Sequence, residues 1–170
     1  MRGGKFLPAF FVEPVELGVN FQRGKWPLHM SFFAPVETTF NPELALLMRE
    51  YVNPMEPFVA TVGEPTLFGD NEDIPVHRMV ETPQLHAVNR ALVSVLQYLP
   101  HSARYRTVFR PHITAKANGL QLNTGDTIEV GGFSIVETNN YSPNWQVIAK
   151  IGLKGADMVT DARLIKKQAK

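Results

Sequence analysis

The chain has 170 residues, 44% of them hydrophobic and 19% charged, which is enough apolar material to bury a core and too balanced for intrinsic disorder. Its formal net charge of +1 argues against a partner gripped by a broad basic surface, such as duplex DNA, and favours a small phosphorylated ligand or a nucleic-acid end. Cysteine is absent, which removes disulfides, thiolate nucleophiles and cysteine-based metal sites.

The first apolar stretch, Phe6 to Val12, is short, broken by Pro8 and followed by Glu13, so it reads as a strand rather than a secretory signal. No run approaches the roughly 20 apolar residues of a membrane span. A soluble cytoplasmic protein, monomeric and without a membrane partner, is the expectation. A second strand is predicted over His29–Phe33. Asn41-Pro42 then pairs a capping side chain with a proline at the first helical position, and Leu44, Leu47, Met48 and Tyr51 form one apolar stripe before Asn53-Pro54 ends the helix.

Strands are predicted at Phe58–Val62 and Val76–Val80, with a loop over Gly69–Asp73 between them. Thr82-Pro83 repeats the capping signal. The stripe Leu85, Val88, Leu92, Val95, Leu96 and Leu99 follows it, ended by Pro100. The remaining predicted strands are His112–Lys116, Thr127–Val136 and Gln146–Ile151, with a loop at Leu122–Asp126 and a hairpin turn at Ser142-Pro143-Asn144. Strands interrupted by two helices in this order indicate an α+β fold, with helices laid on antiparallel sheet. From Lys154 onward the sequence turns polar and basic and reads as a frayed helix or disordered tail.

Two phrases in this chain repeat one another. Pro27-Leu28-His29-Met30-Ser31 and Arg110-Pro111-His112-Ile113-Thr114 each carry a histidine, one apolar residue and a hydroxyl residue. On a strand the period of two puts imidazole and hydroxyl on one face and sends Met30 or Ile113 into the core on the other. Two such faces in one cleft would suit acid–base chemistry on a phosphodiester. One imidazole would take a proton, the other would give one, and Ser31 and Thr114 would hold phosphoryl oxygens. The sequence leaves open which histidine is base and which is acid.

Lys116 shares the parity of His112 and Thr114, and Arg110 is the nearest of three arginines, with Arg104 and Arg106, that approach the second motif. Both are candidate phosphate contacts. Phe33, on the parity of His29 and Ser31, and Tyr141 are candidate platforms for a nucleobase, with Trp26 and Trp145 as further possibilities. His77, His86 and His101 lack a hydroxyl partner at the same spacing and are assigned to structure or surface. No His-x-x-x-His or similar close spacing suggests a metal site.

The paired motifs resemble those of the 2H phosphoesterase superfamily, which includes the 2′-5′ RNA ligase-like and cyclic phosphodiesterase families. The likeness extends through Val62-Gly63-Glu64, Phe68-Gly69, Pro75-Val76-His77, the helix around Leu85–Leu99 and a closing hairpin at Phe133–Val136 and Gln146–Ile148, covering about Trp26 to Leu153. This chain has Ser31 where that family often has threonine, and Lys116 follows the second histidine by four positions where a basic residue often follows by five. The resemblance implies one bilobal, pseudo-symmetric domain over residues 1–153, with antiparallel sheets lining a central cleft, helices outside and the tail at 154–170. It also implies a phosphoesterase without metal or cofactor that acts on 2′,3′-cyclic or 2′-5′ phosphodiesters of a small nucleotide or RNA end. Two alternatives stand beside it. One is a non-catalytic nucleotide-binding module with the same fold; the other is a hydrolase of cyclic oligonucleotide messengers.

Overall fold

Among the described residues, ten strands and two helices order themselves around the two motifs. The protein is described here by a computed structural model that covers residues 4–22, 24–106, 108–138, 143–154 and 161–165. In chain order the elements are β1 (Lys5–Phe11), β2 (Asn20–Gln22), β3 (His29–Ser31), α1 (Pro42–Val52), β4 (Phe58–Phe68), β5 (Ile74–Met79), α2 (Pro83–Val95) with a 3-10 turn at Leu96–Tyr98, β6 (His112–Thr114), β7 (Thr127–Val130), β8 (Gly132–Thr138), β9 (Asn144–Gly152) and β10 (Ala162–Ile165). The fold is α+β. All ten strands join one sheet in the order β10-β7-β4-β5-β6-β3-β1-β8-β9-β2, and neighbours run antiparallel. The two motif strands, β3 and β6, are the middle pair, with four strands on either side.

Both helices begin as their sequence signals predict. The Asn41 side chain accepts the Leu44 N–H at 2.9 Å, and the Thr82 hydroxyl accepts the Leu85 N–H at 3.3 Å. Leu44, Met48 and Val52 of α1 and Leu85, Val88, Leu92 and Val95 of α2 are buried against one face of the sheet. On that face they meet Phe6, Phe10, Met30, Ile113, Phe133 and Ile135, all 0–1% exposed. Full burial of side chains of this size stabilises by roughly 1.5–3 kcal/mol each, so this face holds the main core.

The opposite face carries a second, smaller core. Leu7, Ala9 and Phe11 of β1 alternate with Phe6 and Phe10 and pack with Val15, Phe21, Val136 and Val147 beneath Trp26 and Trp145. Burial on both faces explains why β1 reads as a continuous apolar run rather than an alternating one. Among the described residues, no helix is long and apolar enough to cross a membrane.

The structure departs from the sequence reading in several places. The predicted strand Thr127–Val136 is two strands, because the Gly131 and Gly132 N–H groups turn to the carbonyl of Asp161 (2.8 and 3.0 Å) and the chain changes neighbours there. The predicted tail includes β10, which pairs along β7 from Ala162↔Val130 to Ile165↔Thr127, so part of it belongs to the sheet. Its polarity is that of an edge strand, with one side open to water. Strand β2 has no counterpart among the predicted strands, being three residues long with Phe21 alone buried. Strand β4 runs on to Phe68 through Pro65, which a bulge between Val62 and Pro65 accommodates. Both motif strands are shorter than predicted and end at Ser31 and Thr114. Part of the predicted turn at Ser142-Pro143-Asn144 lies outside the described residues.

Candidate active site

Strands β3 and β6 pair antiparallel with Met30 opposite Ile113. Both of these side chains are 0% exposed and lie in the helix-side core. Period-two alternation therefore turns His29, Ser31, His112 and Thr114 to the other face. Antiparallel pairing also crosses the motifs. His29 stands opposite Thr114 and Ser31 opposite His112, so each imidazole neighbours the hydroxyl of the other motif and the two imidazoles sit at diagonal corners. Directly opposed positions lie about 5 Å apart at Cβ and diagonal ones about 7–8 Å, a spacing that brackets a single phosphoryl group.

The same backbone device orients both rings. His29 Nδ1 lies 2.9 Å from the Pro27 carbonyl and His112 Nδ1 lies 2.6 Å from the Arg110 carbonyl, each two residues back along the chain. A carbonyl can only accept, so Nδ1 carries the proton and donates in both cases. In each neutral ring Nε2 is then the basic nitrogen, and both histidines line the same cleft. Neither Ser31 nor Thr114 spends its hydroxyl on a protein partner among the described residues. The chain leaving β3 is held by a further bond that the sequence reading did not single out: buried Asn89 of α2 donates its amide to the Phe32 carbonyl at 2.6 Å.

The surroundings of the two rings differ. His29 is wedged among aromatics, with ring centroids 4.8 Å from Trp26 and 5.6 Å from Phe11. Burial there, reinforced by the nearby His112 and Lys116 and opposed by the bond to Pro27, lowers its pKa from 6.5 to about 4. His112 is more open. Its ring meets Phe68 at 4.7 Å, and the guanidinium of Arg110 lies over the same Phe68 ring at 4.5 Å.

The cleft has two parts that share His29, Pro35 and Thr114. One, of about 350 Å³, holds both histidines and both hydroxyls together with Arg106 and Arg110. The other, of about 710 Å³, runs past Lys25, Lys116, Trp26 and Trp145. Trp26 and Trp145 stand edge to face there, 5.1 Å apart.

Six of the predicted site residues thus come together: His29, Ser31, His112, Thr114, Arg110 and Lys116. Arg106 joins them without a strand to carry it, whereas Arg104 instead bridges to Glu37 through the backbone. Phe33 forms part of the cleft wall but is 3% exposed and packed edge to face on Phe6, so it is a core residue with little open face for stacking. Its displacement follows from the early end of β3. Tyr141 lies outside the described residues. Trp26 and Trp145 line the larger part of the cleft, as their positions beside a motif and a predicted turn suggested. Arg78 was not foreseen; it stands opposite His112 across the β5–β6 pair, a relation visible only once the strands are paired. Among the described residues, no group of three or more His, Asp or Glu converges in a way that could hold a metal ion.

No protein-family model matches the chain, and no curated protein matches it in sequence. Solved structures do match. TT0787 of Thermus thermophilus superposes with a TM-score of 0.60 at 17% identity, covering 89% of this chain and 98% of that one. A phosphoesterase superposes at 0.58 and 13% identity, covering 89% and 99%. LigT of E. coli, in complex with phosphate, superposes at 0.53 and 12% identity, covering 91% and 99%. The chain therefore shares one fold with these proteins over nearly their whole length.

Proposed function

We propose that this chain is a member of the 2H phosphoesterase superfamily, a metal-independent enzyme that cleaves 2′,3′-cyclic or 2′-5′ phosphodiester bonds of a small nucleotide or RNA end. The observation that carries the reading is the crossed pairing of two His-x-Ser/Thr strands at the centre of the sheet, with both imidazoles fixed in one tautomer by backbone carbonyls. The fold shared with a phosphoesterase supports it. In the two-lobed description that goes with this family, β3 with its four flanking strands forms one lobe and β6 with its four the other, and each gives one motif to the cleft.

The roles follow from the surroundings. His29, neutral down to about pH 4, accepts the proton of the attacking water or ribose hydroxyl as the new P–O bond forms. His112, on the open side, acts as the imidazolium: it keeps Nδ1–H on the Arg110 carbonyl and gives its Nε2 proton to the departing ribose oxygen as the old P–O bond breaks. Charge that shifts to the non-bridging oxygens is met by the Ser31 and Thr114 hydroxyls and by the Lys116 and Arg110 cations. Trp26 and Trp145 offer aromatic surface beside His29 for a base.

The test is hydrolysis of a panel of 2′,3′-cyclic and 2′-5′ linked nucleotides in EDTA, with wild type beside the His29→Ala and His112→Ala variants and their combination. Each single variant should lose about 10²–10⁴-fold in turnover, and the combination should lose less than the product of the two. Undiminished turnover in both single variants would remove the acid–base assignment. Nucleotide binding without any cleavage would favour the binding-module alternative.

A further inference from the structure

Beyond the motif cleft, on the side of His112 away from His29, lies a second recess of about 300 Å³ lined by Arg78, Met79, Glu81, Arg110 and Pro111. We propose that this recess is a subsite for a second phosphate group, so that the preferred substrate is a nucleotide bearing another phosphate beyond the scissile one rather than a nucleoside cyclic monophosphate alone. The inference rests on the phosphoesterase reading above and extends it to the class of substrate.

Three observations carry it. The first is position. Arg78 stands directly opposite His112 in the β5–β6 pairing, so it shares the cleft face with that histidine at cross-strand distance. Arg110 lines both this recess and the part of the cleft that holds the motifs, so the two adjoin at that side chain.

The second is charge. Four cations elsewhere in the molecule meet carboxylates: Lys150 with Asp161, Arg163 with Glu129, Lys5 with Glu37 and Lys154 with Glu56. Arg78, Arg106 and Arg110 have no carboxylate within 4.0 Å among the described residues. Glu81, the acid on the wall of the recess, directs a carboxylate oxygen to His86 Nε2 at 3.5 Å. Two arginines on a concave wall whose lining acid is turned to His86 provide for an anion from outside.

The third is preorganisation. The Arg110 guanidinium is seated on the Phe68 ring, and its own carbonyl is the acceptor that orients His112. The residue that reaches the second anion is thus tied by its backbone to the ring that would work on the first. The cleft is polarised as a result, with tryptophans and two lysines at the His29 end and arginines at the His112 end. A substrate spanning it would place its aromatic group at the first end, the scissile phosphodiester between the motifs, and its further phosphate at Arg78 and Arg110.

The experiment compares adenosine 2′,3′-cyclic phosphate with the same compound carrying a 5′-phosphate, in wild type and in Arg78→Gln and Arg78→Lys. Wild type should favour the 5′-phosphorylated compound at least about tenfold in kcat/KM, as a charge-assisted contact warrants. That ratio should collapse toward one in Arg78→Gln and survive in part in Arg78→Lys, which keeps the charge and reports on folding. A wild-type ratio near one, or a ratio that Arg78→Gln leaves unchanged, overturns the subsite. If wild type cleaves neither compound, the enzymatic reading fails separately. Calorimetric binding of adenosine 3′-monophosphate against adenosine 3′,5′-bisphosphate then decides the subsite. Tighter binding of the bisphosphate that is lost in Arg78→Gln supports it, and equal binding refutes it.

Discussion

At the scale of single residues, the chemistry turns on how His29 and His112 differ while being held alike. Both donate Nδ1–H to a carbonyl two residues back, which settles the tautomer without a carboxylate partner. The difference lies in what covers each ring. For His29 the aromatic enclosure by Trp26 and Phe11 makes the imidazolium costly and lowers the pKa to about 4. As the pH falls through that value the ring takes up a proton and can no longer accept one. The acid limb of kcat/KM, which reports free enzyme, should therefore lie near pH 4 rather than near 6.5. An anionic substrate beside the ring favours the imidazolium, so the limb of kcat should lie higher than that of kcat/KM. Trp26→Ala admits water to the ring and should move the kcat/KM limb upward. A wild-type limb already at 6.5, unmoved in Trp26→Ala, would contradict this account. The motif residues were legible because a period of two needs no tertiary knowledge. Arg78 was not, since its importance comes wholly from the strand that happens to lie beside it.

Among the elements, the motif strands are three residues each and depend on their neighbours for position. Strand β3 is held by β1 and β6 by β5, and Gly63 of β4 sets how closely β4 approaches β5. A Cβ on Gly63 would lie 2.6 Å from the carbonyl oxygen of Arg78, closer than any real contact allows. Gly63→Ala must therefore push β5 away from β4 at the residue opposite His112. Overpacking of this kind costs typically about 1–3 kcal/mol. Urea unfolding should show a loss in that range, and turnover should fall with it because His112 moves with β5. Wild-type stability and turnover together in Gly63→Ala would show that the β4–β5 approach does not position the site. The helices were legible to within a turn because their caps and prolines are local signals. Strand limits were less so: the break between β7 and β8 depends on Asp161, far along the chain from both glycines, and local pattern carries no hint of that contact.

For the molecule as a whole, the α+β class could be read from the order of elements, but nothing in the local pattern signals what joins the far end of the described chain to the centre. Asp161 does this. Its carboxylate accepts the Ser134 hydroxyl of β8 at 2.7 Å, the Lys150 ammonium of β9 at 2.9 Å and the Phe11 N–H of β1 at 3.3 Å. Its carbonyl takes the N–H groups of Gly131 and Gly132. The side chains of Lys150 and Asp161 are 12% and 3% exposed, so the pair is largely removed from water. Removing one partner leaves the other charge buried and unmatched, which costs about 3–5 kcal/mol, whereas replacing both by apolar groups is often nearly neutral. Asp161→Ala should therefore lose stability in that range in urea, and adding Lys150→Met should recover most of it. A large loss that Lys150→Met does not relieve would mean that the hydrogen bonds to Phe11 and Ser134, rather than the charge, hold this corner. That outcome would bear on the site too, because Phe11 packs against the ring of His29, and an unanchored Phe11 N–H would loosen the enclosure that keeps that imidazole neutral.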